Sequence, residues 1–151
     1  MGSNVIQSLP VDPTTKYVIQ RRALEQPVTD DGVRGTTIGP SVMPHAITTG
    51  RATEYGYIQR IDAICLRAPS GPAALNLHGV TGGSALDDNL RTFAIPAGVE
   101  AGQRYVWEFP TELRTASRGD EFYIWPSSTD AGVWFILAEG FYTDFQKDQS
   151  A

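Results

Sequence analysis

The sequence predicts an all-β protein, an antiparallel β-sandwich preceded by an extended N-terminal arm. Three observations predict it. From Glu54 onward, short apolar or alternating runs recur about every 8–14 residues between Gly, Pro, Ser and Asp turns, the spacing of a sandwich or barrel of antiparallel strands. No segment of ten or more residues carries a convincing helical period. Fourteen of the fifteen aromatic residues lie from Tyr55 onward, with Tyr17 the exception, and aromatic side chains dominate cores. The boundary is therefore placed between an arm, residues 1–53, and a sandwich domain, residues 54–151.

The arm holds five of the ten prolines (Pro10, Pro13, Pro27, Pro40 and Pro44) and five glycines. Asp30-Asp31-Gly32 and Gly39-Pro40-Ser41 are turn signals. Lys16-Tyr17-Val18-Ile19-Gln20 reads as its one strand. Apolar residues such as Val5, Leu9, Val18, Leu24, Ile38 and Ile47 are too many for a purely solvating tail. The arm is therefore expected to become ordered by leaning on a partner.

The strands of the domain follow in order. Tyr57 to Arg67 is the first, ended by Pro69-Ser70-Gly71-Pro72. Ala74 to Val80 puts Leu75 and Leu77 on one face, Asn76 and His78 on the other, and is closed by Thr81-Gly82-Gly83-Ser84. One or two helical turns are expected over 85–91. Thr92 to Ile95 is stopped by Pro96-Ala97-Gly98. Arg104 to Phe109 alternates, with Tyr105, Trp107 and Phe109 on one side. Leu113 to Ala116, Glu121 to Trp125 and Val133 to Tyr142 complete the set. The last two are apolar on both faces, as Tyr123/Trp125 beside Phe122/Ile124 and Trp134/Ile136 beside Phe135/Leu137 show. Such strands need cover on both sides, which points to the arm or to a second subunit.

At 151 residues the chain is one domain, long enough to bury a core without staples. Its net charge is −5, against the basic stripe a nucleic acid would want. Residues 1–60 hold six Lys/Arg against five Asp/Glu, and residues 61–151 six against twelve, so the acidity belongs to the domain. Val133 to Ala138 is the longest apolar run, far short of the ~20 residues of a membrane helix. Met1 to Gln7 lacks the basic and apolar regions of a signal peptide. Cys65 is the single cysteine, set among Ala63, Ile64 and Leu66, and reads as a small core residue. No nucleic-acid or membrane partner is expected.

Chemical motifs are scarce. His45 follows Pro44 in the arm and His78 lies on the polar face of a strand. Neither has a second histidine or a carboxylate at ligand spacing. No nucleophile elbow is present. Asp87-Asp88, Glu108, Glu112, Asp120 and Glu121 could supply the paired carboxylates of a glycosidase, but any acidic sandwich offers such pairs as solvated loop charges. Asp87-Asp88 also lacks the alternating spacing of a calcium loop. The glycine-rich stretch 79–84 lacks the lysine and helix of a phosphate loop. Arg118-Gly119-Asp120 spells the tripeptide of integrin ligands and is equally a good turn. Trp107, Trp125, Trp134 and the tyrosines could stack on sugars if exposed; inside apolar strands they read first as core or interface. Catalytic residues, cofactor-binding residues, metal ligands and cofactors are all read as none, and the chain is expected not to be an enzyme.

One stretch carries a resemblance. Phe109-Pro110-Thr111-Glu112-Leu113-Arg114-Thr115-Ala116, then Gly119 to Ile124, Gly132 to Ile136 and Gly140-Phe141-Tyr142, resembles the closing strands of small jelly-roll or sandwich proteins on tailed-bacteriophage particles. It covers about a quarter of the chain. The resemblance implies a jelly-roll-like sandwich and a virion structural role. That role is a capsid decoration or cement protein, made in the host cytoplasm and bound to the major capsid protein on the outer capsid surface. It also implies a homotrimer whose N-terminal arms reach over neighbouring subunits. The alternatives are a carbohydrate- or receptor-binding module of a phage tail or fibre, and a hydrolase on a β scaffold.

Overall fold

The computed structural model describes residues 22–29, 31–79 and 89–144, which form two facing antiparallel sheets. In the first sheet β9 (Val133–Thr143) pairs with β4 (Tyr55–Arg67), and β4 pairs with β7 (Arg104–Arg114). Two short strands, β1 (Arg22–Ala23) and β2 (Thr36–Ile38), lie end to end on the other edge of β9. The second sheet runs β3 (His45–Ala46), β8 (Tyr123–Pro126), β5 (Ala74–His78), β6 (Asn89–Ala94). The described residues contain no α-helix, only a 3₁₀ turn over Thr129–Ala131 capped by the Ser128 side chain.

The order is nested. If β1 and β2 count as one interrupted strand, the described residues hold eight strands. The first pairs with the last, β3 with β8, β4 with β7, and β5 with β6. This is the double-sheet jelly roll. The jelly-roll-like sandwich expected from the sequence is thus the observed fold.

The core lies between the sheets. Ile58, Ile61, Ala63 and Cys65 of β4 and Trp134, Ile136 and Ala138 of β9 meet Leu75, Leu77 and Ile124 of the second sheet, all buried. Strict alternation cannot bury both Ile58 and Ile61. A bulge between Ile58 and Arg60, one residue against β9 and three against β7, shifts the register and turns both inward. Gly140 lies opposite that bulge, where a Cβ would run into the Tyr57 carbonyl oxygen and the Leu24 side chain.

Residues 22–53, read from sequence as part of the arm, contribute β1, β2 and β3 and three buried core side chains, Leu24, Ile38 and Ile47. The Leu24 N–H donates to the Gly140 carbonyl at 3.1 Å, and the Thr36 hydroxyl donates to the Ala46 carbonyl at 3.3 Å. Together they form a strap that starts on the edge of the first sheet and ends on the edge of the second. Gly35, at φ 138°, sits so close to the Phe135 ring that a Cβ would strike it. The strap therefore also covers part of the outer face of β9, one of the two strands whose second apolar face required cover.

Three boundaries differ from expectation. Leu113 does not begin a new strand, because β7 runs on through Pro110 to Arg114, with the ladder to β4 interrupted at the bulge. Asn89 to Arg91 are strand β6, paired with β5, rather than helical turns. The opening of β8 moves to Tyr123, and Phe122 bonds the strap: its carbonyl accepts from the Ile47 N–H and its own N–H donates to the Thr48 side-chain hydroxyl. The strand read at 16–20, the turn at 80–84 and Asp87-Asp88 lie outside the described residues.

Candidate functional site

One tyrosine ties two points of the strap to the domain. Tyr142, near the end of β9, is buried. Its hydroxyl accepts the Glu25 N–H at 3.1 Å and donates to the Thr49 carbonyl. Burial pushes the phenol up to about 12, so it remains a neutral donor at any ordinary pH. Arg51 stands 5.6 Å from the centre of the same ring. It donates to Glu54 at 2.8 Å and to Glu25 at 2.8 Å, and Arg22 reaches Glu54 at 3.3 Å. Arg22, Arg51 and Glu54 line a cleft of about 410 Å³ together with Asp144. Two arginines, Glu54 and Asp144 are its charged lining, so the cleft has no net charge to draw an anion or a cation. It serves as a latch.

The residues singled out for chemistry do not assemble. His45 is in register with Ile124, and Ile124 with Leu77, so it faces the core. Burial lowers its pKa, and its Nε2 has no hydrogen-bond partner among the described residues. His78 is in register with Tyr123 on the opposite face, buried with its ring 5.8 Å from that of Trp125. The two imidazoles thus lie on opposite sides of one sheet. Among the described residues no three His, Cys, Asp or Glu side chains are grouped to hold a metal. Cys65 is fully buried, and burial raises its thiol pKa, which disfavours the reactive thiolate. In the turn around Gly119 the Asp120 carboxylate accepts the Ser117 N–H at 2.8 Å. Arg118 lies 4.8 Å from the Tyr55 ring centre and donates to the Asp144 carbonyl at 2.7 Å. Both charged ends of Arg118-Gly119-Asp120 are thereby engaged within their own domain.

The tryptophans separate into three environments. Trp134 is core, its indole N–H donating to the Ala131 carbonyl at 2.7 Å. Trp107 stacks on Phe93 at 4.1 Å and is half-buried. Trp125 is half-buried on the outer face of the second sheet, in register with Asn76, whose side-chain oxygen accepts from the Thr92 hydroxyl at 2.8 Å. Sequence alternation set Asn76 on the polar face of its strand and Trp125 on the face opposite Phe122 and Ile124, but only the pairing of β8 with β5 brings them side by side.

The two long sides of the sandwich are unlike. The strap closes one. On the other, β7 pairs only with β4 and β6 only with β5 among the described residues. Phe93 of β6 and Trp107 of β7 meet across this side. Val106, at the middle of β7, is 39% exposed. The outer face behind it is pinned by Asp62, whose carboxylate holds Arg60 and Arg104, each at 3.2 Å.

No protein-family model matches the chain, and no curated protein matches it in sequence. Among solved structures, a chain of the virus-like particle of extra small virus from the giant freshwater prawn Macrobrachium rosenbergii is similar over 97% of this chain and 99% of its own. The identity is 15% and the TM-score 0.28, below the level at which a shared fold is read.

Proposed function

We propose that this chain is a virion structural protein, a decoration or cement protein that binds the major capsid protein on the outer surface of a phage capsid. In this reading it acts as a homotrimer, uses its N-terminal arm to stabilise the shell, and performs no catalysis. The observation that carries the proposal is the strap. Residues 22–46 dock by adding short strands to existing sheet edges, a mode in which the backbone supplies affinity and side-chain pockets supply register. The same mode suits an arm that must lie across neighbouring subunits. The jelly roll supports the reading as an analogy, being shared by viral capsid and lectin domains; a fold alone names no function. The acidity of the domain keeps a surface protein soluble.

The test is sedimentation with shells assembled from the parent major capsid protein, mixed stoichiometrically with the purified chain. The expected result is co-sedimentation at a fixed ratio, with shells that withstand higher temperature. A chain left wholly in the supernatant overturns the proposal.

Trp125 favours a second reading, a carbohydrate-binding module of a phage tail or fibre. A half-exposed indole beside an amide and a hydroxyl is the pairing that stacks on and hydrogen-bonds a sugar ring. Tryptophan emission would then shift on titration with a glycan of the panel, and Trp125→Ala would abolish the shift. A flat response across the panel removes this reading.

A further inference from the structure

The strap shows how this chain docks, and the longest edge strand left for such docking among the described residues is β7. Strand β7 has eleven residues and pairs with β4 alone among the described residues. Its inward-facing Tyr105 and Trp107 are only half-buried, as expected of a core margin with no strand beyond it. Pro110 interrupts the edge and cannot donate to a ladder, so the stretch able to accept a strand is 104–109. Over that stretch the edge presents unpaired backbone donors and acceptors that another chain can meet.

We propose that Lys16 to Gln20 of one copy adds as an antiparallel strand to the open edge of β7 in a second copy. The run Lys16-Tyr17-Val18-Ile19-Gln20 is rich in β-formers and lies just upstream of the strap. Reach decides between the chain's own edge and another's. A strand beyond β7 lies four inter-strand spacings from β1, about 19 Å. Gln20 is two residues from Arg22, at most about 7 Å along the chain. The run therefore cannot lie along β7 of its own domain. Charge decides the register. Glu108 is exposed on β7 and appears in no ion pair among the described residues. Setting Lys16 opposite it places Val18 against Val106, Tyr17 against Trp107 and Ile19 against Tyr105. The half-buried aromatics gain apolar partners on one face, and opposite charges meet on the other. The relation is donor to acceptor. It closes as a reciprocal pair or as a ring around a symmetry axis.

The inference concerns the purified chain alone and stands apart from any role on a particle, so capsid binding and self-association can fail separately. The first measurement is mass by light scattering on the full chain and on Val18→Pro, which removes one ladder donor. An oligomer that falls to a monomer in V18P is expected, with unchanged circular dichroism. A monomeric full chain, or an oligomer untouched by V18P, overturns the proposal. The second measurement fixes the register. Lys16→Glu should weaken association about fivefold, the scale of one cross-strand charge pair, and adding Glu108→Lys should restore it. Oxidation of the V18C/V106C double variant should give chains linked between copies. A link within one chain, or no rescue by the charge swap, sinks the register and the exchange with it.

Discussion

Tyr142 concentrates the residue-scale chemistry, because its hydroxyl holds two backbone groups of the strap at once. Tyr142→Phe leaves the Glu25 N–H and the Thr49 carbonyl without that partner, a loss of about 1–3 kcal/mol. The expected outcome is a lower denaturation midpoint and faster amide exchange at Leu24 to Gln26. Its acidity gives a second readout. The folded phenol titrates near 12, the unfolded near 10, so its stabilising effect is complete below pH 10 and lost as pH rises through 12. Tyr142→Phe should flatten the melting temperature over that interval. His45 works at the acid end. Its folded pKa lies below the ordinary 6.5, so the unfolded chain binds the proton first. Stability is complete above pH 6.5 and falls on acidification. His45→Gln should reduce that acid slope in thermal melts between pH 7.5 and 5; an unchanged slope shows that other groups carry it. Cys65 was legible as core from its apolar neighbours. Tyr142 was not legible as a latch, because Glu25 and Thr49 are more than ninety positions away and no local pattern connects them. His78 was legible as outward-facing but not as buried, since alternation gives the face and not what stands beside it.

At the scale of elements, the long strands were readable and the short ones were not. β4, β5, β7 and β9 each carry enough alternating residues to stand out. β1, β2 and β3 have two or three residues each, too few for any period, and are strands only because β9 and β8 supply their partners. The aromatic boundary misled for a related reason: Leu24, Ile38 and Ile47 give the strap its core contacts without a ring among them. The bulge at Ile58/Arg60 was hidden too, since the run from Tyr57 to Arg67 reads as one uninterrupted strand. Its counterpart Gly140 is open to test. Gly140→Ala forces a methyl against the Tyr57 carbonyl and the Leu24 side chain, a packing conflict of about 1–3 kcal/mol. Urea denaturation should show the loss, and amide exchange should show it centred on Leu24. An unchanged midpoint would mean that β1 lifts away at no cost and that the latch alone retains the strap.

For the whole molecule, the antiparallel sandwich was visible in the rhythm of turns and apolar runs, while the nesting of its strands was not, because pairing order leaves no mark on local sequence. That nesting has a kinetic consequence. The pair β5 and β6 joins neighbours in the chain, but β1 and β2 must wait for β9, more than ninety residues downstream. Topologies dominated by distant pairings fold in milliseconds to seconds rather than microseconds. Stopped-flow refolding should show tryptophan burial in the sheets ahead of protection at Leu24; simultaneous signals would mean that the strap belongs to the folding nucleus. On the ribosome the first strands synthesised are the last to find their place. Until Val133 to Thr143 emerge, a nascent chain holds out its strap with no edge of its own to accept it. Chains made side by side on one message therefore meet with unfilled edges and unplaced straps.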